Sequence, residues 1–259
     1  GVELADGTKL TSEHIILATG HSAKEMYQHL HEHNVDMKAK DFAVGVRIEH
    51  PRKKLDELQH GPFAKELEAA RYRLSYHDKS TDKGTYSFCM CPGGYVLSSG
   101  TEEQGLVVNG MSNFARNSPW SNAALVVSAK RGVDFGEALF DGLKFQETIE
   151  RKAYELEKKY ADGKSLPAMT VGEFMQGKLN KDPLPVSSTP SKIFKVDFTP
   201  LFPKNIIEHL KKALKQFDKN IPGFLDKEAL LIAPETRTSA AITILRDKVS
   251  LESTSHQGL

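Results

Sequence analysis

Residues 14–23 read HIILATGHSA. Ile15, Ile16 and Leu17 form an apolar run too short for a helix, closed by Ala18, Thr19 and Gly20. A run that ends on a small residue and a glycine reads as a buried strand. Its end admits a backbone or a ligand, because glycine has no Cβ and tolerates positive φ. Ser22 and Glu25 then have the S-x-x-E spacing of a capping box, which predicts a helix over Ser22 to His33. In open α/β sheets such a strand–turn–helix junction is where ligands sit, beyond the carboxyl ends of the strands. Upstream, Val2 and Leu4 alternate with Glu3, and Asp6-Gly7 signals a hairpin turn. A hairpin therefore leads directly into the predicted strand.

The 259 residues are enough for one large domain or two small ones with a sizeable core. A formal net charge of +1 with interspersed signs leaves no electrostatic footprint for nucleic acid. No apolar run approaches the ~20 residues of a membrane span, and no signal peptide opens the chain. The two cysteines, Cys89 and Cys91, make no disulfide framework, so a cytoplasmic protein is expected. The first residue is Gly1 and the last five run Ser255, His256, Gln257, Gly258, Leu259, so both ends look cut from a longer protein. No G-x-G-x-x-G follows a strand, so no pyrophosphate cradle is expected in this chain.

Downstream, KDFAVGVRIEH from Lys40 to His50 alternates Phe42, Val44, Val46 and Ile48 against Arg47 and Glu49, which predicts a strand. Arg71–His77, Leu106–Met111 and Ala124–Ser128 are further predicted strands. So is the Leu230–Pro234 run, with alternation resuming over Ile242–Leu245. Phe145–Tyr160 and Asn205–Phe217 have helical spacing. Met169–Phe174 is expected to start a short helix. Five prolines between Lys181 and Pro203 predict a long ordered connection or lid. Short strands joined by turns predict an α+β fold: a mixed or antiparallel sheet with packed helices.

Four features carry possible chemistry. His29 and His33 are four apart on one helix face, as in i, i+4 zinc ligands; the plain alternative is a solvated face, and no further ligand cluster completes a metal site. TYSFCMCPGGYV from Thr85 to Val96 places Cys89 and Cys91 on one strand face, either as a flavin-facing or redox pair or as packing thiols. Pro92-Gly93-Gly94 then makes a tight turn whose amides are free to face a flat ligand. Glu235-Thr236-Arg237-Thr238 follows an apolar strand. Its guanidinium either orients an anionic substrate or closes a strand-end salt bridge.

The opening hairpin, the apolar strand and A-T-G resemble the later half of the FAD-binding domain of two-domain flavoproteins of the glutathione reductase type. With V-G-V-R-I-E-H-P, Y-S-F-C-M-C-P-G-G, V-N-G-M-S and E-T-R-T-S in fixed order, the chain resembles bacterial FAD-dependent dehydrogenases of poorly defined substrate. The resemblance implies an inner portion of such a protein. Residues 1–39 would be the remnant of the FAD-binding domain, with its hairpin and strand. Residues 40–235 would be an inserted substrate-side domain, and 236–259 strands returning toward the FAD domain. It implies Thr19, Gly20 and His21 at the cofactor, and Arg47, Cys89, Cys91, Gly93, Gly94, Glu235, Thr236, Arg237 and Thr238 on the substrate side. FAD would belong to the longer parent. This chain, lacking the flanking FAD-domain segments, would be inactive. The other reading is a non-catalytic interaction module, which an exposed apolar stripe on Asn205–Phe217 would favour.

Overall fold

The computed structural model describes residues 1–100, 102–161, 165–256 and 258–259; of the expectations above, those touching Gln257 lie outside the described residues. Contacts divide the chain into two units, Gly1–Met37 with Ile244–Leu259, and Lys38–Thr243. In chain order the elements are β1 (Val2–Glu3), β2 (Lys9–Leu10), α1 (Lys24–Glu32), β3 (Met37–Ala39), β4 (Phe42–Pro51), α2 (Arg52–His60), β5 (Ser75–Asp78), β6 (Lys83–Cys91), β7 (Gly94–Ser98) and β8 (Val108–Ser112). There follow β9 (Trp120–Ala129), α3 (Asp141–Tyr160), β10 (Leu166–Thr170), α4 (Val171–Gln176), β11 (Ile193–Lys195), α5 (Lys204–Asn220), β12 (Leu230–Glu235) and β13 (Ile242–Ile244).

The larger unit is built on a sheet in the order β11-β10-β12-β4-β9-β6-β5. Neighbours are antiparallel except β10 and β11. The fold is α+β, as the sequence predicts. β4 pairs with β9 along its whole length, Phe42 opposite Ala129 and Pro51 opposite Trp120, and with β12 on its other edge. Its alternation is that of a half-buried strand, yet Phe42 to His50 are all buried. The β7–β8 hairpin and the helices cover what would otherwise be a wet face, so Arg47 and Glu49 lie inside. α5 packs across β5, β6 and β9. Its stripe of Ile206, Ile207, Leu210, Ala213, Leu214 and Phe217 is buried within this one unit, at about 1.5–3 kcal/mol for each large side chain. The exposed stripe that an interaction module would show is not there.

Two local expectations are corrected. In the smaller unit β1 and β2 form the predicted hairpin around Asp6-Gly7. Residues 15–17, however, form no strand; Ile15, Ile16 and Leu17 are 55%, 91% and 46% exposed. A strand exists only when its N–H and C=O groups have a neighbouring strand to bond, and the described residues of this unit offer the segment none. The Ser22–Glu25 capping box is also absent. α1 begins after Ala23 without a side-chain cap, and Lys24 N–H bonds the Ser22 carbonyl instead. A box unread in the sequence does form at α4. Thr170 Oγ1 accepts from Glu173 N–H at 3.2 Å, and Glu173 Oε2 accepts from Thr170 N–H at 2.9 Å. Thr170 ends β10, so the sheet holds it in the extended conformation a cap requires.

Candidate functional site

Arg47 is the largest fully buried side chain of the larger unit. It projects from the middle of β4, opposite Ile232 of β12 and Ala124 of β9. Its Nε donates to Glu235 Oε2 at 2.9 Å. Nη1 donates to Asn122 Oδ1 at 2.7 Å and to the Cys89 carbonyl at 3.3 Å, with Cys91 Sγ at 3.8 Å. Nη2 reaches Asn109 Oδ1 at 3.4 Å. Four strands and the β7–β8 hairpin thus converge on one guanidinium. Gly110 makes room for it, since a Cβ there would stand 2.0 Å from Nη1 and 2.3 Å from Asn122 Oδ1.

A buried charge is tolerated only when paired and hydrogen-bonded. Burial works most strongly against the Arg47 charge, but Glu235, with Cys91 and Cys89 adding to it, holds the guanidinium above its ordinary range. Burial raises the Glu235 carboxyl, and Arg47 opposes that rise. The Asn122 amide nitrogen and the Tyr72 hydroxyl are buried nearby in the same core without a hydrogen-bond partner among the described residues. Burial pushes the Tyr72 hydroxyl far up, so it stays protonated.

Cys89 and Cys91 do not share a face. The β6–β9 register shifts between Phe88 and Cys91, and Cys89 sits at φ +44° in the left-handed region. One displaced residue turns Cys89 out to solvent and leaves Cys91 buried. The Cys91 thiol points back to the Cys89 carbonyl at 3.3 Å. Burial pushes its pKa up, so it is a packing thiol rather than a thiolate. The Gly93–Gly94 turn presents no exposed backbone to a ligand. Gly93 N–H donates to Ser121 Oγ at 3.0 Å, and Gly94 is buried opposite Ser112 at the start of the β7–β8 ladder. A Cβ on Gly93 would stand 1.8 Å from the Arg116 carbonyl, so the chain needs glycine there for its own packing.

At the end of β12 and just past it, Glu235 and Arg237 serve different partners. Arg237 forks onto Glu150 of α3, Nε to Oε1 at 2.9 Å and Nη2 to Oε2 at 2.7 Å, and also reaches Glu102 at 3.2 Å. The hydrogen bonds to Glu150 raise the guanidinium above its ordinary range. Thr236 Oγ1 donates to Glu150 at 2.6 Å, Gln146 Nε2 donates to the Thr236 carbonyl at 2.8 Å, and Thr238 Oγ1 donates to the Ala43 carbonyl at 2.9 Å. The strand-end salt bridge is the arrangement that forms.

The structure therefore brings Arg47, Cys89, Cys91 and Glu235 together and ties Thr236 and Arg237 to a second cluster. Sequence reading missed Asn122, Asn109, Gly110 and Glu150. Asn122 carried a usable signal, a lone amide inside the apolar run W-S-N-A-A-L-V-V-S-A of β9. Thr19, Gly20 and His21 belong to the smaller unit and are all exposed. Nothing lies within 4 Å of where a Gly20 Cβ would stand, so the segment is open at that position.

A cleft of about 880 Å³ opens elsewhere in the larger unit. Arg52, Lys53, Lys65 and Arg116 line it beside Asp56 and Glu68. Two of its cations already face acids, Arg52 with Asp56 and Arg116 with Glu68, both at 3.5 Å. None of the candidate site residues named from sequence lines it, though Ser112, the end of the V-N-G-M-S motif, does. The His29 and His33 rings stand 4.3 Å apart, with His33 Nδ1 against the His29 carbonyl at 2.8 Å. Among the described residues no group of three or more His, Cys, Asp or Glu is placed to hold a metal ion. Among the described residues no helix is long and apolar enough to cross a membrane.

A family model described as "FAD-dependent protein, C-terminal domain-like" matches residues 41–238. An "Uncharacterized protein" of Clostridium beijerinckii is 38% identical over 261 residues, covering 99% of this chain and 48% of that protein. The chain thus spans about half the length of the curated relative it matches.

Proposed function

We propose, from the premise that this chain belongs to the FAD-dependent protein, C-terminal domain-like family, that it supplies the substrate-side wall of an FAD-dependent oxidoreductase of the dehydrogenase class. Bound flavin supplies the hydride chemistry; this chain supplies position and electrostatics. The observation that carries the reading is the buried Arg47 frame. It fixes the Cys89 carbonyl and the Asn109 side chain to one guanidinium, and both residues are exposed to solvent. Phe88, 42% exposed, precedes Cys89 on β6. A rigid, charge-backed surface with a few exposed polar groups is suited to orienting a reactant. Arg47 and Glu235 are positioning residues on this reading, since neither reaches the surface.

Thr19, Gly20 and His21 would meet the cofactor only in the longer parent, where flanking FAD-domain segments give the 14–20 segment a sheet to join. The chain alone has no glycine-rich strand–turn–helix for a pyrophosphate, so it is expected neither to retain FAD nor to turn over. Titrating FAD into this chain and following quenching of flavin fluorescence tests the second point; tight saturable binding overturns it. The longer protein, purified without added cofactor, is expected to carry the flavin absorption spectrum. A colourless preparation that FAD cannot reconstitute would remove the whole reading.

A further inference from the structure

Glu49 lies near the end of β4, opposite Leu230 of β12 and Asn122 of β9. Its side chain is 1% exposed. Its carboxylate accepts from Ser188 N–H at 3.1 and 3.2 Å and from the Ser188 hydroxyl. It has no ion pair among the described residues, in contrast to four other enclosed acids. Glu235 faces Arg47, Glu150 faces Arg237, Glu173 faces Lys195, and Asp134 faces Lys83. A buried carboxylate without a counter-cation is strongly disfavoured. Burial accordingly pushes the Glu49 carboxyl above its usual range, although its bonds to Ser188 and Ser187 draw it back.

A pocket of about 230 Å³ adjoins this carboxylate, lined by Glu49, Pro51, Trp120, Pro185, Glu228 and Leu230. Trp120 Nε1 donates to the Val186 carbonyl at 3.2 Å, which fixes the indole against the 185–188 stretch. We propose that this pocket binds a small organic cation, an alkylammonium or alkylguanidinium, with its charged head at Glu49 and Glu228 and its stem against Trp120 and the two prolines. The head supplies the charge that Glu49 lacks. The indole adds attraction for a cation through its ring quadrupole, and the prolines and Leu230 exclude water from the stem. The pocket is smaller than those that take drug-sized ligands, which favours a free small molecule over a partner's side chain. No residue of the pocket has a role in the flavin reading, so the two stand or fall separately.

Trp120 is the chain's single tryptophan, so its fluorescence reports on this pocket alone. The experiment titrates the chain with n-butylammonium and n-butylguanidinium, with butyrate and 1-butanol as anionic and neutral controls. Saturable change with the two cations and none with the controls is expected. Glu49→Gln should weaken binding at least about tenfold, the loss expected when one partner of a buried charge pair goes. Glu228→Gln, at an exposed position where folding is not at risk, should weaken it about threefold. A third arm presents the cation on a chain, as an acetylated, amidated Gly-Arg-Gly peptide, expected to bind more weakly than the free cations. The proposal is overturned if neither cation saturates, if butanol or butyrate gives the same change, if only the peptide binds, or if Glu228→Gln binds as the parent does.

Discussion

Ile15-Ile16-Leu17 and Val44 to Ile48 are both short apolar runs that read as strand, and the molecule treats them oppositely. Val44, Val46 and Ile48 are fully buried between β9 and β12, whereas Ile16 is 91% exposed in a segment with no ladder. The difference lies outside both runs. β-propensity measures fit to a pleated, half-buried surface, and that surface has to be supplied by other strands. β4 has two partners and a cover of hairpin and helix. The 14–20 segment has neither among the described residues of its unit.

The comparison is broken most severely by attacking the charge that β4 carries inward. Arg47→Met leaves Glu235 buried and unpaired and is expected to lower stability by about 3–5 kcal/mol. The midpoint of urea unfolding measures it. Arg47→Met with Glu235→Leu should recover a large part of the loss, because the uncompensated charge is gone. If the double variant is as unstable as the sum of the singles, the frame is not a coupled pair.

His50, next on the strand, sharpens the same point through pH. Its burial, with Lys54 adding to it and a 2.9 Å contact to the Phe224 carbonyl opposing it, pulls the imidazole from 6.5 down to about 4. In that window the unfolded chain takes up a proton that the folded one refuses. Stability is therefore fully present above pH 6.5 and falls as pH drops toward about 4, by about 3 kcal/mol. Glu49 and Glu235, raised by burial, act in the opposite sense as pH falls. The readout is accordingly the difference between the parent and His50→Gln in urea midpoints across that range, and parallel curves would refute it.

Smaller effects follow at the cover and at the bare run. Gly110→Ala inserts a methyl against the Arg47 guanidinium and should cost about 1–3 kcal/mol. Cys89 should react with an aromatic disulfide reagent in the native chain while Cys91 reacts only on unfolding; two fast thiols would contradict the bulge. Least of all, Ile16→Ser should change this chain's unfolding midpoint by no more than about 0.5 kcal/mol, as befits an exposed side chain. The same substitution in the longer protein should cost more if flanking segments there complete the sheet.

The hairpin at Asp6-Gly7, the helix over Asn205–Phe217 and the strand through Arg47 were legible because each is written in local spacing: a turn dipeptide, a 3.6-residue stripe, a period of two. Two capping boxes have equal spacing, yet only the one at Thr170 forms, because β10 holds that residue extended while Ser22 lies outside any strand. Similarly, the pattern gave Cys89 and Cys91 a common face that a single bulge removed. Arg237 and Glu235 lie two apart in sequence, but their partners, Glu150 and Arg47, come from 87 and 188 residues away.

Spacing along the chain determined which segments are able to become helix or strand; only the family resemblance set Arg47 beside the two cysteines. Only the tertiary structure decided which strands exist, which side of the sheet is dry and which acid each guanidinium meets. Backbone hydrogen bonds between strands and the pairing of buried charges are long-range conditions. No run of ten residues can satisfy them by itself.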